Sequence, residues 1–191
     1  MITLSTCTRC PLHKNRIKVV LGRGKTDNPI IAFIAEAPGK KEDEQGKPFI
    51  GAAGVWLTRI LWYIGLSRDV VYITNVVKCR PPNNRDPKEE EIKQCLPFLK
   101  EEIRLIKPGL ICTLGKHALS TVTGKDGVMK ARGKLLWSSL FDLWVFPMLH
   151  PATLCYNKLM NLPKIKQDCN ILRKLLKEEF QHNIKKQEEF G

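Results

Sequence analysis

Four short apolar runs, each followed by a stretch with helical spacing, constrain this chain more than any other feature. Ile30 to Ala35 follows Asp27-Asn28-Pro29, a turn signal, and reads as a buried strand. Ala52 to Ile64 places Val55, Leu57, Ile60, Leu61 and Ile64 on a helical stripe that stops at Gly65. Val70 to Thr74 is rich in β-branched residues and reads as a second strand. Asp86-Pro87 then opens a helix, with Asp86 as cap and Glu89, Glu90 and Glu91 at its positive end. That helix carries Ile92, Cys95, Leu96, Leu99, Ile103 and Ile106, and Pro97 predicts a kink. Leu110 to Leu114 is a third strand and Lys116 to Val122 a short helix. Trp144 to Leu149 is a fourth strand, provided that Pro147 lies at an edge or near its end. From Ile165 to about Phe180, Ile165, Cys169, Leu172, Leu176 and Phe180 share one helical face. Strands separated by helices imply a mainly parallel sheet covered on both faces. Ligands of such sheets bind beyond the carboxyl ends of the strands. Glu36, Asn75, Gly115 and His150 therefore start the loops of one rim.

The chain has 191 residues, within the range of one domain, and one domain over residues 1–191 is expected. Hydrophobic residues make up 43% and charged residues 27%, which excludes collagenous and disordered classes. No run approaches the roughly 18 apolar residues of a membrane span, and Met1 to Cys10 lacks the pattern of a signal peptide. A net charge of +13 favours a polyanionic partner, nucleic acid before an anionic membrane surface.

Seven cysteines make an odd number, which argues against a disulfide framework. Cys7-x2-Cys10 together with Cys79 and Cys95 has ligand-like spacing, whereas Cys112, Cys155 and Cys169 stand singly. Four thiolates suit tetrahedral zinc or a [4Fe–4S] cluster, and the spacing does not choose between them. The alternative is four unrelated cysteines. Against it, Cys10 precedes a proline and Cys79 lies in a proline-rich loop, both poor core positions.

The loops at the rim hold the rest of the chemistry. Ala35-Glu36-Ala37-Pro38-Gly39 leads to Glu42 and Asp43, which can polarise a water or stand as a solvated acidic loop. Phe49, in a glycine-rich loop, suits stacking on a planar base or anchoring the loop in the core. Asn75 carries both a donor and an acceptor for a base edge. Lys78, Arg80 and Arg85 follow it as candidate phosphate contacts. His150-Pro151-Ala152 closes the fourth strand, a setting that His13, His117 and His182 lack. Gly22-Arg23-Gly24-Lys25-Thr26 imitates a phosphate-binding loop but precedes a strand rather than a helix, so it reads as a basic hairpin.

Taken in order, these segments resemble the family 4, iron–sulfur uracil-DNA glycosylases. The resemblance rests on Cys7-x2-Cys10, Glu36-Ala37-Pro38-Gly39, Gly46-Lys47-Pro48-Phe49 with Gly51-Ala52-Ala53-Gly54, Thr74-Asn75-x2-Lys78-Cys79-Arg80-Pro81-Pro82, Cys95, and His150-Pro151-Ala152. It covers nearly the whole chain. It implies a three-layer α/β/α sandwich around a four-stranded, mainly parallel sheet. It implies a [4Fe–4S] cluster on Cys7, Cys10, Cys79 and Cys95. The implied activity is monofunctional hydrolysis of uracil from single- or double-stranded DNA, leaving an abasic site for base excision repair. The base would be flipped out to be reached.

In that reading His150 donates to uracil O2, Asn75 reads O4 and N3–H, and Phe49 stacks on the base. The backbone around Glu36, Ala37 and Pro38 contacts uracil and water. Glu42 either polarises the water or shapes the pocket against thymine's methyl. Lys78, Arg80 and Arg85 meet phosphates, and Leu154 or Tyr156 is the wedge inserted into the duplex. Relatives carry Gly where Ala35 stands here, and their residues after His150-Pro151-Ala152 differ from Thr153-Leu154-Cys155-Tyr156. Lys130-Ala131-Arg132-Gly133-Lys134 lacks the histidine of a covalently trapping branch, so ordinary turnover is expected. A monomer in a prokaryotic or viral-origin cytoplasm, associated with the nucleoid, is expected, without a membrane partner. A sliding-clamp contact is not readable. The competing reading is an iron–sulfur DNA-binding or redox-sensing protein without glycosylase activity.

Overall fold

The structure is a computed structural model and describes residues 4–190, with side chains through Glu178. The side chains of Phe180 and His182 lie outside the described residues. Two short 3-10 turns, Leu4–Thr6 and Pro11–Lys14, flank the first cysteine pair, Cys7 and Cys10. The elements that follow are β1 (Arg23–Gly24), β2 (Ala32–Ala35), α1 (Lys40–Gln45), α2 (Ala52–Tyr63) and β3 (Tyr72–Asn75). Next come α3 (Glu89–Ile106), β4 (Ile111–Leu114), α4 (Lys116–Thr123), α5 (Val128–Ala131) and β5 (Leu136–Ser138). The chain ends with β6 (Leu143–Met148), α6 (Thr153–Tyr156) and α7 (Lys158–Phe190).

The sheet order is β1-β3-β2-β4-β6-β5. The four inner strands are the four apolar runs, and they pair in parallel. Each is apolar on both faces because helices cover both. On one face Phe33, Ile73, Cys112 and Phe146 meet α2 and α7 through Leu57, Leu61, Ile165 and Leu172. On the other, Ile34, Tyr72, Ile111 and Val145 meet α3 and α4 through Leu99, Ile103, Ala118 and Val122. These two cores make the three layers. The structure adds two antiparallel edge strands, so the sheet has six strands around the expected four. The basic hairpin segment supplies one of them, β1, and no phosphate-binding loop forms there.

Several local expectations are adjusted. Pro147 is tolerated in β6 because β5 pairs only with Leu143, Trp144 and Val145, so its missing N–H faces no partner strand there. Helix α3 starts at Glu89, not at Asp86, because the Glu91 carboxylate accepts the Lys88 N–H at 2.8 Å and closes the first turn. Asp86 is released for ion pairs elsewhere. Helix α3 is continuous through Pro97.

Among the described residues, no helix is long and apolar enough to cross a membrane.

Candidate active site

Parallel pairing in register, with Ala35 opposite Asn75, puts Glu36 and Asn75 at the same rim. Strand β4 ends beside them, and His150 follows the end of β6. Gly115, at a φ of 91°, lies where an added Cβ would be 3.2 Å from the His150 Cβ, so a glycine gives the imidazole its seat.

The His150 and Phe49 rings stack at 5.7 Å and 27°. A base held between two rings needs about 7 Å, twice the contact distance of roughly 3.5 Å. A base on the Phe49 ring therefore lies beside His150 rather than between the two. The Ala152 N–H donates to His150 Nδ1 at 3.1 Å. A neutral ring that accepts at Nδ1 carries its proton on Nε2, so His150 is a donor. Burial pushes its pKa down to about 4, and the nearby Glu42 charge offsets this only partly. The ring is neutral at neutral pH.

Phe49 is held in the left-handed region, at a φ of 53°, which a non-glycine residue adopts only under constraint. Three neighbours supply that constraint. Glu42 Oε1 accepts the N–H groups of Ile50 at 3.0 Å and Gly51 at 2.8 Å. Arg68 Nη2 donates to the Phe49 carbonyl at 2.6 Å. Gly54 lets that carbonyl approach, since a Cβ there would be 1.9 Å from it. Glu42, buried in α1, is thus a brace for the base shelf. One of its carboxylate oxygens is committed to backbone N–H groups.

Asn75 is 2% exposed, and its side-chain amide has no hydrogen bond to the described residues. Pro38 is buried, and Glu36 and Ala37 are half-buried. The Glu36 carbonyl accepts from the Val77 N–H at 3.1 Å. The Glu36 carboxylate lies 3.8 Å from His117 Nε2, which is 2.9 Å from Asp86, and Asp86 meets Lys116 at 2.7 Å. Burial raises the Glu36 pKa and the His117 charge opposes that shift. Hydrogen bonds from Lys116 and His117 lower the Asp86 pKa. His117 was not foreseen at the site. Its position two residues beyond the rim glycine Gly115 was the available signal.

Three DNA-contact expectations are corrected. Lys78 is 1% exposed, and its ammonium donates to Thr74 Oγ1, the Asn75 carbonyl and Glu102. It ties β3 to α3 and has no face toward a phosphate. Arg85 spends both terminal nitrogens on Glu91, at 2.8 and 2.6 Å. Leu154 is 3% exposed and packs into the core, so it is no wedge. Tyr156, 89% exposed, stays available, as does the half-buried Arg80, whose Nε donates to Asn84.

The four spaced cysteines come together. Cys7, Cys10, Cys79 and Cys95 line one hollow with Arg16, Lys78 and Phe98. Burial raises the thiol pKa of Cys10, Cys79 and Cys95, the last to about 11, and neighbouring thiols add to each shift. Arg16 Nη1 donates to Cys79 Sγ at 3.3 Å. Gathering four thiols in an apolar pocket makes chemical sense when a cationic centre takes them as thiolates, so the residues fit a metal group. Among the described residues, the one set of three or more ligand-type atoms within 4.8 Å of one another is Glu36, Asp86 and His117, not the cysteines.

A family model for the uracil DNA glycosylase superfamily matches residues 21–176, which defines the class of the fold and rim. The chain is 45% identical over 179 residues to the type-4 uracil-DNA glycosylase of Sulfurisphaera tokodaii, covering 89% of this chain and 80% of that one. It is 45% identical over 182 residues to that of Saccharolobus solfataricus, covering 91% and 78%. It is 47% identical over 162 residues to that of Thermotoga maritima, covering 83% of each. The chain belongs to the type-4 uracil-DNA glycosylases.

Proposed function

We propose that this chain is a monofunctional uracil-DNA glycosylase that hydrolyses the N-glycosidic bond of deoxyuridine in DNA and leaves an abasic site. One observation carries the reading: a neutral His150, protonated at Nε2, sits at the edge of a braced aromatic shelf beside an Asn75 amide with no partner among the described residues. The type-4 relatives, named for acting on uracil in DNA, support it.

The target bond is hidden in a stacked duplex, so the nucleotide is flipped out before it reaches the rim. Uracil lies on Phe49. Asn75 accepts from N3–H and donates to O4, and cytosine inverts that pattern and is rejected. Bond cleavage puts negative charge on the departing uracil and positive charge on the sugar. The His150 Nε2–H is donated to uracil O2 and strengthens as charge grows there. Ala37 and Pro38 line the path of the water. Tyr156 is the wedge and Arg80 a phosphate contact.

Cys7, Cys10, Cys79 and Cys95 would hold a [4Fe–4S] cluster, which supplies a structural cross-link between the N-terminal turns, the β3 loop and α3. A single tetrahedral zinc draws its sulfurs to about 3.8 Å of one another, tighter than the arrangement of these thiols, which supports a larger centre. The whole chain acts as a single domain and a monomer, in the cytoplasm.

The test is excision from a labelled oligonucleotide with one deoxyuridine, using protein purified anaerobically. Alkali-labile cleavage only at uracil, with thymine and cytosine strands intact, is expected. No cleavage by protein with a full complement of iron would overturn the proposal in favour of DNA binding or redox sensing.

A further inference from the structure

A hollow of about 380 Å3 is lined by Lys47, Pro48 and Ile50, the neighbours of Phe49 in the shelf loop, and not by His150. Its walls include Arg23 of β1, Lys47 and Pro48 of the shelf loop, and Arg68 and Asp69 before β3. Three of these five residues are cations and one is an acid. None of the three cations forms an ion pair among the described residues. Arg23 and Lys47 are exposed, whereas Arg68 is half-buried. A partly buried guanidinium with no carboxylate in direct contact is stabilised when an anion joins it. Burial accordingly lowers the Arg68 pKa, against the pull of Glu42.

The nitrogens of Arg68 are divided in a telling way. Nε donates to Thr58 Oγ1 of α2 at 3.1 Å and Nη2 to the Phe49 carbonyl at 2.6 Å, while Nη1 has no partner among the described residues. One nitrogen braces the base shelf, one ties Arg68 to α2, and one is uncommitted. Arg and Lys around a concavity next to a DNA-processing rim suit a phosphodiester, which needs several donors from separate directions.

We propose that this hollow binds one phosphate of the DNA substrate through Arg23, Lys47 and Arg68, and that Arg68 links that phosphate to the Phe49 shelf. The proposal rests on the glycosylase reading, and it gives Arg23, Lys47 and Arg68 a DNA contact that the rim residues do not make. The Gly22–Thr26 segment, which is no nucleotide loop, thereby contributes a cation to a phosphate site from an edge strand.

The experiment is single-turnover uracil release from a single-stranded oligonucleotide with one deoxyuridine. A companion set replaces one phosphate at a time with a neutral methylphosphonate. The enzyme concentration for half-maximal rate gives affinity. Wild type should lose about tenfold in affinity at one position of the set, the scale of a charge-assisted contact. Arg23→Gln/Lys47→Gln should bind the ordinary strand about tenfold more weakly and lose clearly less than wild type at that position, because only Arg68 still meets the phosphate. Its slope of log affinity against log salt should fall by roughly 1.4, at about 0.7 per charge on a single strand. Lys174→Gln/Lys177→Gln removes the same charge from the outer face of α7 and should keep the wild-type methylphosphonate pattern.

Two results would overturn the site. One is a control double variant that reproduces the change. The other is a methylphosphonate set that never separates wild type from Arg23→Gln/Lys47→Gln. A melting shift with inorganic phosphate that the double variant loses, without any methylphosphonate effect, would assign the hollow to free phosphate and also overturn the DNA assignment. Wild type that releases no uracil would instead sink the glycosylase reading, so the two failures are distinguishable.

Discussion

The base shelf follows the end of β2 and the Cys79 side of the sulfur hollow follows the end of the neighbouring β3, yet they are held in opposite ways. The shelf is braced by the chain's own polar groups. Glu42 grips two backbone N–H groups, Arg68 grips the Phe49 carbonyl, and Gly54 admits that carbonyl. These contacts hold Phe49 in a backbone conformation it would not choose alone. The sulfur hollow has a single brace, Arg16, which donates to the Cys7 carbonyl at 2.8 Å, the Ser5 carbonyl at 3.0 Å and Cys79 Sγ at 3.3 Å. Its thiols sit where burial and one another's charge resist ionisation. The shelf is therefore preorganised for its ligand, whereas the hollow depends on its ligand to become a cross-link. A catalytic pocket benefits from rigidity before binding, and a structural centre contributes its energy through binding itself.

The largest expected effect tests the hollow. Cys79→Ser should lower the melting temperature by roughly 10 °C, the scale of about 4 kcal/mol in a chain of this size. Iron content should fall with it, and unchanged melting with full iron would break the contrast. His150→Ala tests the other side. It should slow single-turnover uracil release by about 10²- to 10³-fold, the cost of one donor to a developing anion. DNA affinity by titration and iron content should not change.

A smaller effect is expected from Glu42→Gln, which exchanges a charged acceptor for a neutral one. Differential scanning should show a loss of about 1 kcal/mol, with iron content intact. An equal loss of iron would show that the two regions are not independent. The smallest is Arg68→Lys. It keeps a cation beside the hollow but loses the two-nitrogen grip on Thr58 and Phe49. A fall of severalfold in kcat, about 1 kcal/mol, with an unchanged salt slope would separate bracing from phosphate binding.

Legibility in the sequence followed the same division. The inner strands were readable because burial on both faces makes each a continuous apolar run, as in Ala32–Ala35 and Ile111–Leu114. Edge strands β1 and β5 were not, being two and three residues long and fixed by pairing with β3 and β6. The cysteine set was readable from spacing and loop context. His150, Asn75 and Phe49 were readable from their place after strands and in a glycine-rich loop. The brace was not, because the Arg68–Phe49 contact spans 19 positions and depends on a left-handed Phe49. Lys78 was misread as a phosphate contact although its partner left a trace. Glu102 sits between Leu99 and Ile106 on the buried stripe of α3, where an acid needs a cation. Leu154 was misread because the short α6 turns it inward, while Tyr156 two residues on faces out.

The central claim is that a neutral imidazole at the shelf edge stabilises the departing uracil, and the pH dependence of single-turnover release by wild type tests it most directly. Burial depresses the folded pKa of His150 from 6.5 to about 4. The donor form therefore persists well below neutrality. For folding, the same depression means stability fully present above pH 6.5 that is lost as pH falls toward about 4. In brief pH jumps that keep the protein folded, the rate should stay level from about pH 8 to about pH 5 and fall only as the jump approaches pH 4. That inflection should vanish in His150→Ala. A half-maximal point near pH 6.5, or a rate that rises as the ring gains its second proton, would contradict the account.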